Sequence, residues 1–568
     1  TEVGFDRLPD SVEAVSTTSS PQRTTPWNIG SGTGDPREEL GMQPPLVQAV
    51  YHVDLLPRER WSLTVHIVPT LGEPLIAARQ YPSLDESFTR ILDEYNEWES
   101  SCTRIESDSE LLNALIRQSV QDLRLVINRV PTGLLPVAGI PWFAVPFGRD
   151  SLITSLQTLA LNPDIAYGTL RFLAMHQGRH LDTWRDEEPG KILHEIRSGE
   201  MAALGEVPQS PYYGSVDSTP LFVWLFSELM KWTDDWVMAA DLKPHLEQAL
   251  EWIRIYGDRD GDGLIEYESH SASGISNQGW KDSFDSIAFP DGRLAQSPVA
   301  VAEVQGYAYA AESGMAEIYE HWGDSDRAAA LALSAAMRRK RFEDAFWMES
   351  EGFYAEALDG EKKQVRAVTT NPGHCFLTGL LQGPHADAAA ERLMLDDMLC
   401  GWGLRTLSGN YPTFNPISYH NGSIWPHDNS MVAAGLSRAG YQDKAARVIG
   451  QVFDAGFRLP GYRLPELFCG FSRDLRYQSL PAQYPVSCAP QSWAAGSVIH
   501  MLQALIGLNP DLPRKRVELR PALLPWLNEL RFQNLRLGPW QLSIRIWRAG
   551  EDVRCEVTGA DGLDVVIR

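Results

Sequence analysis

Residues 299–323, VAVAEVQGYAYAAESGMAEIYEHWG, are followed at once by residues 325–347, SDRAAALALSAAMRRKRFEDAFW. In both runs apolar residues recur at three- and four-residue steps, the signature of helices with a buried face. The two read as a helical hairpin. The same texture extends in both directions. SDSELLNALIRQSVQDLRLVINRV (residues 107–130) opens with Ser107 and Asp108 as candidate caps and places Leu111, Leu112, Leu115, Ile116 and Val120 on one face. PDIAYGTLRFLAMHQG, STPLFVWLFSELMKWTDDW, LKPHLEQALEWIRIYG, MVAAGLSRAGYQDKAARVIGQVFDAG and SWAAGSVIHMLQALIG follow the same rule. With weaker candidates the count is about a dozen helices. Strands are not interleaved with them, which excludes a parallel βαβ architecture. Short and long connections alternate, and the long ones hold the Trp, His, Asp and Gly residues. A closed ring of helical hairpins with one loop-rich face has this pattern.

The two ends differ from the middle. Residues 1–95 read as an N-terminal β region, with a loop at SSPQRTTPWNIGSGTGDP (residues 19–36) and a hairpin over Gln48–Val68 around a Pro-Arg-Glu-Arg turn. Residues 96–510 form the helical part. Residues 511–568 alternate apolar and polar residues between Gly and Pro, as a small antiparallel β domain does.

Composition narrows the function. Fifty Lys plus Arg against 74 Asp plus Glu leave a net charge of −24. That surface repels phosphate backbones and anionic lipid, so neither nucleic acid nor membrane is an expected partner. No run of about 18 apolar residues occurs, and the start, TEVGFDRLPDSVEAV, has no basic-then-apolar signal pattern. Six scattered cysteines without a CxxC pair suggest reduced thiols in a cytoplasm. The 18 Trp serve either as core or as stacking faces for the C–H surfaces of sugars.

Five segments carry the residue types that chemistry needs. In PWFAVPFGRDSLI (residues 141–153), Asp150 can be a helix N-cap with Arg149 as its surface partner. Alternatively, the pair offers donors and acceptors to vicinal hydroxyls while Trp142 or Phe147 stacks on the sugar. Glu303 and Gln305 head the helix quoted first, and a surface turn accounts for them equally well. In SNQGWKDSFD (residues 276–285), Asp282 follows Trp280 and Lys281. A carboxyl beside an indole loses hydration and holds its proton near neutrality, as a general acid must. Lys281 acts in the opposite sense if its ammonium points at Asp282. SYHNGSIWPHDNSM (residues 418–431) gathers His420, Asn421, Trp425, His427 and Asp428. Its two His are not the helical i, i+4 pair of a zinc hydrolase, so the segment reads as a sugar-binding loop and no metal is expected there. In YRLPELFCGF (residues 462–471), Glu466 sits in an apolar run, a costly place for a carboxylate that is neither hydrogen-bonded nor used. Separately, Asp258-Arg259-Asp260-Gly261-Asp262-Gly263 resembles the opening of a calcium loop, but its twelfth position is Ser269 rather than the bidentate Glu of an EF-hand. A turn held by Asx hydrogen bonds and a different kind of cation site are both open.

In order along the chain, PWFAVPFGRDSLI, GKILHEIRSGE, YYGSVDSTPLFV, NQGWKDS, EVQGYAY, NGSIWPHDN, LPELFCGF and APQSWAAG resemble the amylo-α-1,6-glucosidase family of glycoside hydrolases. This is the glucosidase part of glycogen debranching enzymes, with its stand-alone bacterial relatives, among the six-hairpin glycosidases. More distant likenesses run to processing α-glucosidases, trehalases and glucoamylases. The resemblance implies a mainly α fold, an (α/α)6 barrel with its active site in the loops at one end and small β domains at both termini. It implies an inverting, exo-acting α-glucosidase with a carbohydrate substrate and no cofactor. It places the general acid on Asp282 and the general base on Glu466. Arg149, Asp150, Trp280, Lys281, Gln305, Trp425, His427 and Asp428 match positions lining the pocket for the cleaved sugar. Asp217, Glu303, Trp142, Phe147, His420 and Asn421 complete the candidate binding set. Inversion needs carboxyls ~6.5–9.5 Å apart, so that a water fits between acid and base.

The chain departs from bifunctional debranching enzymes in having no room or pattern for a (β/α)8 transferase domain. A small α-glucoside or oligosaccharide, cleaved as by a trehalase, glucosylglycerate hydrolase or glucoamylase, is therefore the alternative substrate. On the same barrel a phosphorylase would dispense with Glu466, and a sugar epimerase would use His420 and His427 as acid and base.

Overall fold

The computed structural model of the protein describes residues 2–5, 9–15, 46–68, 82–477 and 479–568. The chain divides into two compact units, residues 1–92 and 93–568. In the first, Glu2–Phe5 pairs with Val65–Val68 and Ser11–Val15 with Leu46–Val50, both antiparallel. The hairpin read over Gln48–Val68 does not form. Its two arms join separate upstream strands, because alternation fixes which face a strand buries but not which partner it takes. The loop read at residues 19–36 lies outside the described residues.

In the second unit twelve helices build the barrel among the described residues. They are α1 (Glu110–Val126), α2 (Gly148–Gln157), α3 (Asp164–Met175), α4 (Ser218–Thr233), α5 (Trp236–Ile255), α6 (Ala302–His321), α7 (Ser325–Phe346), α8 (His374–Thr378), α9 (Gly383–Leu393), α10 (Pro426–Arg438), α11 (Gln442–Gly456) and α12 (Ser492–Ile506). The even-numbered helices are inner. Each packs on the next, and α12 closes on α2, so the ring is complete. Their sequences explain the placement. Helix α4 is apolar around nearly its whole circumference and is buried on all sides except at Lys231 and Thr233. Helix α7, studded with Arg and Lys, buries only Ala328, Ala335, Arg338, Phe342 and Phe346, and lies outside.

Capping fixes where these helices begin. The cap of α1 is Ser109, whose hydroxyl accepts from the Leu112 N–H at 3.4 Å, so the helix starts later than Ser107 and Asp108 suggested. Leu111 then faces outward, 46% exposed, while Leu112, Leu115 and Ile116 are buried. Asp108 instead accepts from the backbone of Asn528 and Glu529. It thereby ties the start of the barrel to the C-terminal sheet, where Arg104–Ser107, Glu529–Leu537, Trp540–Ala549 and Asp552–Thr558 form an antiparallel four-stranded array. A second sheet contains one parallel pair, Arg516–Leu519 with Asp564–Ile567. No helix among the described residues is long and apolar enough to cross a membrane.

Candidate active site

The first turns of the inner helices meet at one end of the barrel, and their side chains form a circuit linked at five of its six junctions. Arg149 on α2 bonds Asp217, the cap of α4. Glu303, in the first turn of α6, accepts from Asn371, just before α8, at 3.1 Å. His374 on α8 meets Asp428 on α10 at 2.8 Å. His427 on α10 stacks on Trp493 of α12, ring centroids 3.8 Å apart. Gln491, the cap of α12, donates to Asp150 on α2 at 3.2 Å. Helix N-termini carry partial positive charge and unpaired N–H groups, so carboxylates gather there at reduced cost. The backbone approaches closely at the start of α2: a Cβ on Gly148 would lie 2.0 Å from the Leu193 carbonyl oxygen, so only glycine fits.

Asp282 reaches this circuit from the loop before α6. Its Oδ2 accepts from the Arg149 guanidinium at 2.9 Å, and its side chain is 31% exposed, whereas Arg149 is 2% exposed. Burial pushes the Asp282 carboxyl up to about 6, against the pull of Arg149 and with the help of the Asp217 charge. Lys281 does not point at Asp282. Its ammonium is buried on Glu356 and on the Thr406 carbonyl, both at 2.9 Å. Trp280 is buried, edge-on to Trp425 and His427.

Glu466 is joined to these rings through Tyr419. Its Oε1 accepts from the Tyr419 hydroxyl at 2.5 Å and its Oε2 from the Cys488 N–H at 3.0 Å. Tyr419 in turn packs against Trp425, and the loop is pinned by the Ile424–Phe468 bridge. Burial is the main cause that carries Glu466 to about 7, and the charge of Asp282 adds to it. Asp150 rises to about 7 for the same reason, with both Asp282 and Glu466 contributing. Glu303, fully buried, rises to about 8.

The remaining sequence-read residues fall into two groups. Among the described residues, several buried polar atoms of this circuit have no protein partner: Arg149 Nε, Trp280 Nε1, Glu303 Oε1, Asn371 Oδ1, Asp428 Oδ2 and both His427 nitrogens. Buried polar atoms nearly always find partners, so this end of the barrel concentrates donors and acceptors that the protein leaves unspent. Other side chains are occupied by the protein. The Gln305 amide bonds the backbone of Ile265 and Val301. Asn421 donates to the Asp285 carbonyl, His420 meets the Ser283 hydroxyl, and Trp425 donates to the Tyr419 carbonyl. Phe147 packs edge-on to Phe143 and His194. Trp142 is 59% exposed, its indole N–H fixed on the Val486 carbonyl. Burial holds His420 and His427 neutral, well below the ordinary histidine range. Sequence reading missed Tyr419, although it lies inside the quoted segment 418–431, and missed Glu356, His374 and Ser215.

The calcium-like loop gathers Asp258, Asp260 and Asp262, with ligand atoms within 4.8 Å of one another. The Lys362 ammonium meets Asp260 at 2.9 Å and Asp262 at 2.7 Å, and also bonds the buried Glu266. A lysine cation therefore already occupies two of the three aspartates of the acidic cluster.

A closed ring of six helical hairpins, with buried carboxyls at the N-terminal ends of its inner helices, is the architecture of a six-hairpin barrel, and the family match makes it a glycoside hydrolase. The family model for the mannosylglycerate hydrolase MGH1-like glycoside hydrolase domain matches residues 148–459, and the chain belongs to that family. The amylo-α-1,6-glucosidase resemblance read from the motifs thus identifies the wider group of barrels rather than the branch. Solved structures agree on the fold. The GH63 mannosylglycerate hydrolase from Thermus thermophilus in complex with glucose is 16% identical, over 68% of this chain and 100% of that one, with a TM-score of 0.52. Its complex with Tris gives 15% identity, the same coverage and a TM-score of 0.53. The GH78 rhamnosidase of a Bacillus species is 15% identical over 82% of this chain, TM-score 0.58, and this chain spans only 43% of that protein. Among curated proteins no sequence matches the chain.

Proposed function

We propose that the protein is an inverting, exo-acting hydrolase of a small α-glycoside, a sugar joined to a solute such as glycerate or to a short saccharide. The observation that carries this reading is the different support given to two carboxyls whose charges act on one another, the partly exposed Asp282 and the buried Glu466. Asp282 is held by a guanidinium and Glu466 by a phenol and a backbone N–H. An acetal oxygen is a poor leaving group until protonated. Asp282 donates its proton to that oxygen as the anomeric C–O bond breaks. Glu466 takes a proton from the water whose oxygen attacks the anomeric carbon from the opposite face. The product sugar inverts, and Asp282 leaves the cycle ionised while Glu466 leaves it protonated, ready to be reset by solvent.

The family match favours a solute glycoside over a glycogen branch. The test is sugar release from mannosylglycerate, glucosylglycerate, trehalose, isomaltose, panose and limit dextrin, with the first-formed anomer followed by NMR. Hydrolysis of a glyceryl or disaccharide substrate to the β-anomer is expected. Release of the α-anomer would refute inversion, and a strict requirement for phosphate would refute hydrolysis.

A further inference from the structure

We propose that Asp217 is a positioning residue that acts through Arg149 to keep the Asp282 carboxyl able to carry and give its proton. The inference rests on the reading of Asp282 as general acid.

Asp217 is wholly buried, and both of its oxygens are used by the protein. Oδ1 accepts from Ser215 at 2.5 Å and from Arg149 at 3.1 Å, and Oδ2 accepts from the same Arg149 nitrogen at 2.9 Å. That nitrogen also donates to the Gly279 carbonyl. The other terminal nitrogen of Arg149 donates to Asp282. One guanidinium is therefore shared between two carboxyls, one sealed in protein and one facing the pocket. A carboxyl alone beside an arginine forms a full ion pair and drops by about 1–3 pH units. It would then hold its proton in a far smaller fraction of molecules at neutral pH, and the supply of protonated acid for the leaving group would fall in proportion. The Asp217 charge, bound to the same cation, cancels much of that pull.

The other groups that bear on Asp282 do not replace it. Glu195 comes from the loop before α4. Asp150 lies on α2, and Glu466 is bonded to Tyr419 and to the Cys488 N–H. None of them is bonded to Arg149. His420, bonded to Ser283, is neutral. Lys281 is turned onto Glu356.

The test is the pH dependence of kcat/KM for the wild type, Asp217→Asn and Asp217→Glu on the best substrate found. It is repeated on α-glucosyl and α-mannosyl fluoride, whose leaving group departs with little help from a proton. Activity needs Asp282 protonated, so lowering its proton affinity costs rate only where pH exceeds that affinity. The Asp217→Asn profile should coincide with wild type on its acid flank and lie about ten-fold lower on its alkaline flank for each unit lost. Fluoride hydrolysis should be spared, and Asp217→Glu should recover the alkaline flank. A loss uniform in pH, or one shared by the fluoride, would show a merely structural or sugar-binding role and overturn the proposal. Should Asp217→Asn not fold, Asp217→Ser, whose shortened side chain admits water beside Arg149, carries the same comparison. Asp282→Asn separates the two claims. If it loses the natural substrate but keeps the fluoride, the acid assignment stands whatever Asp217 does. If it keeps both, that assignment and this inference fall together.

Discussion

Tyr419 donates its phenolic hydrogen to Glu466 at 2.5 Å, while the Cys488 N–H holds the second oxygen of the same carboxyl. Both bonds favour the ionised carboxylate, and burial opposes them. On the proposed mechanism, the phenol keeps Glu466 usable as a base near neutral pH. Tyr419→Phe retains the ring that packs on His420 and Trp425 but removes the donor. The proton affinity of Glu466 should rise. Because the base must be ionised, kcat/KM should fall on the acid flank by about ten-fold per unit and change little on the alkaline flank. A pH profile lowered evenly would mean the hydroxyl does not act through Glu466.

Asp282→Asn and Glu466→Gln are nearly isosteric and leave the packed rings of Trp280, Tyr419 and Trp425 in place. On the proposed mechanism each removes one proton-transfer step, a loss of roughly 10²–10⁴-fold in turnover. Thermal melting should show both variants folded. Near-native turnover at either position would strip that carboxyl of its role.

The helices that were easiest to read are those whose burial follows from composition. Helices α4 and α12 are apolar almost throughout, and both lie in the inner ring. Helix α2, GRDSLITSLQ, is just as buried but polar, and periodicity alone would have left it on the surface. Only the Arg149–Asp150 motif marked it. The residue types at the site were legible, but their partnerships were not, because partners lie far apart in sequence. Arg149 and Asp217 are separated by 68 positions, and Lys281 and Glu356 by 75. So Asp217 reads as a sugar ligand although it binds the arginine, and the direction of the Lys281 ammonium could not be fixed. The N-terminal hairpin failed for a related reason, since strand alternation names no partner. Tyr419 passed unnoticed because a tyrosine between a serine and a histidine carries no pattern of its own.

Lys281 and Glu356 form an ion pair with 1% and 2% of their side chains exposed. Removing one member of such a pair leaves a buried, uncompensated charge. Lys281→Met should therefore destabilise the protein by about 3–5 kcal/mol. Adding Glu356→Gln should return part of that loss, because the stranded carboxylate is gone. Denaturant melts of both variants decide it. If the single variant melts like wild type, the pair contributes nothing measurable to stability.

Gly148→Ala tests how far the site depends on backbone contact. The added methyl would meet the Leu193 carbonyl oxygen at 2.0 Å and the Ser218 hydroxyl at 2.9 Å. Neither yields easily. Gly148 N–H donates to the His194 carbonyl at 2.8 Å, and Phe147 bridges to Glu195 beside it. Overpacking of this kind costs about 1–3 kcal/mol. The strain falls one residue before Arg149, so relief by sliding α2 would move the guanidinium away from Asp217 and Asp282 together. A shift of about 1 Å at a reacting centre can cost on the order of 10²-fold in rate. The variant should therefore lose turnover well beyond what its lowered melting temperature accounts for. Full turnover at temperatures where it remains folded would show that Arg149 is held by its carboxylates and not by the seating of the helix.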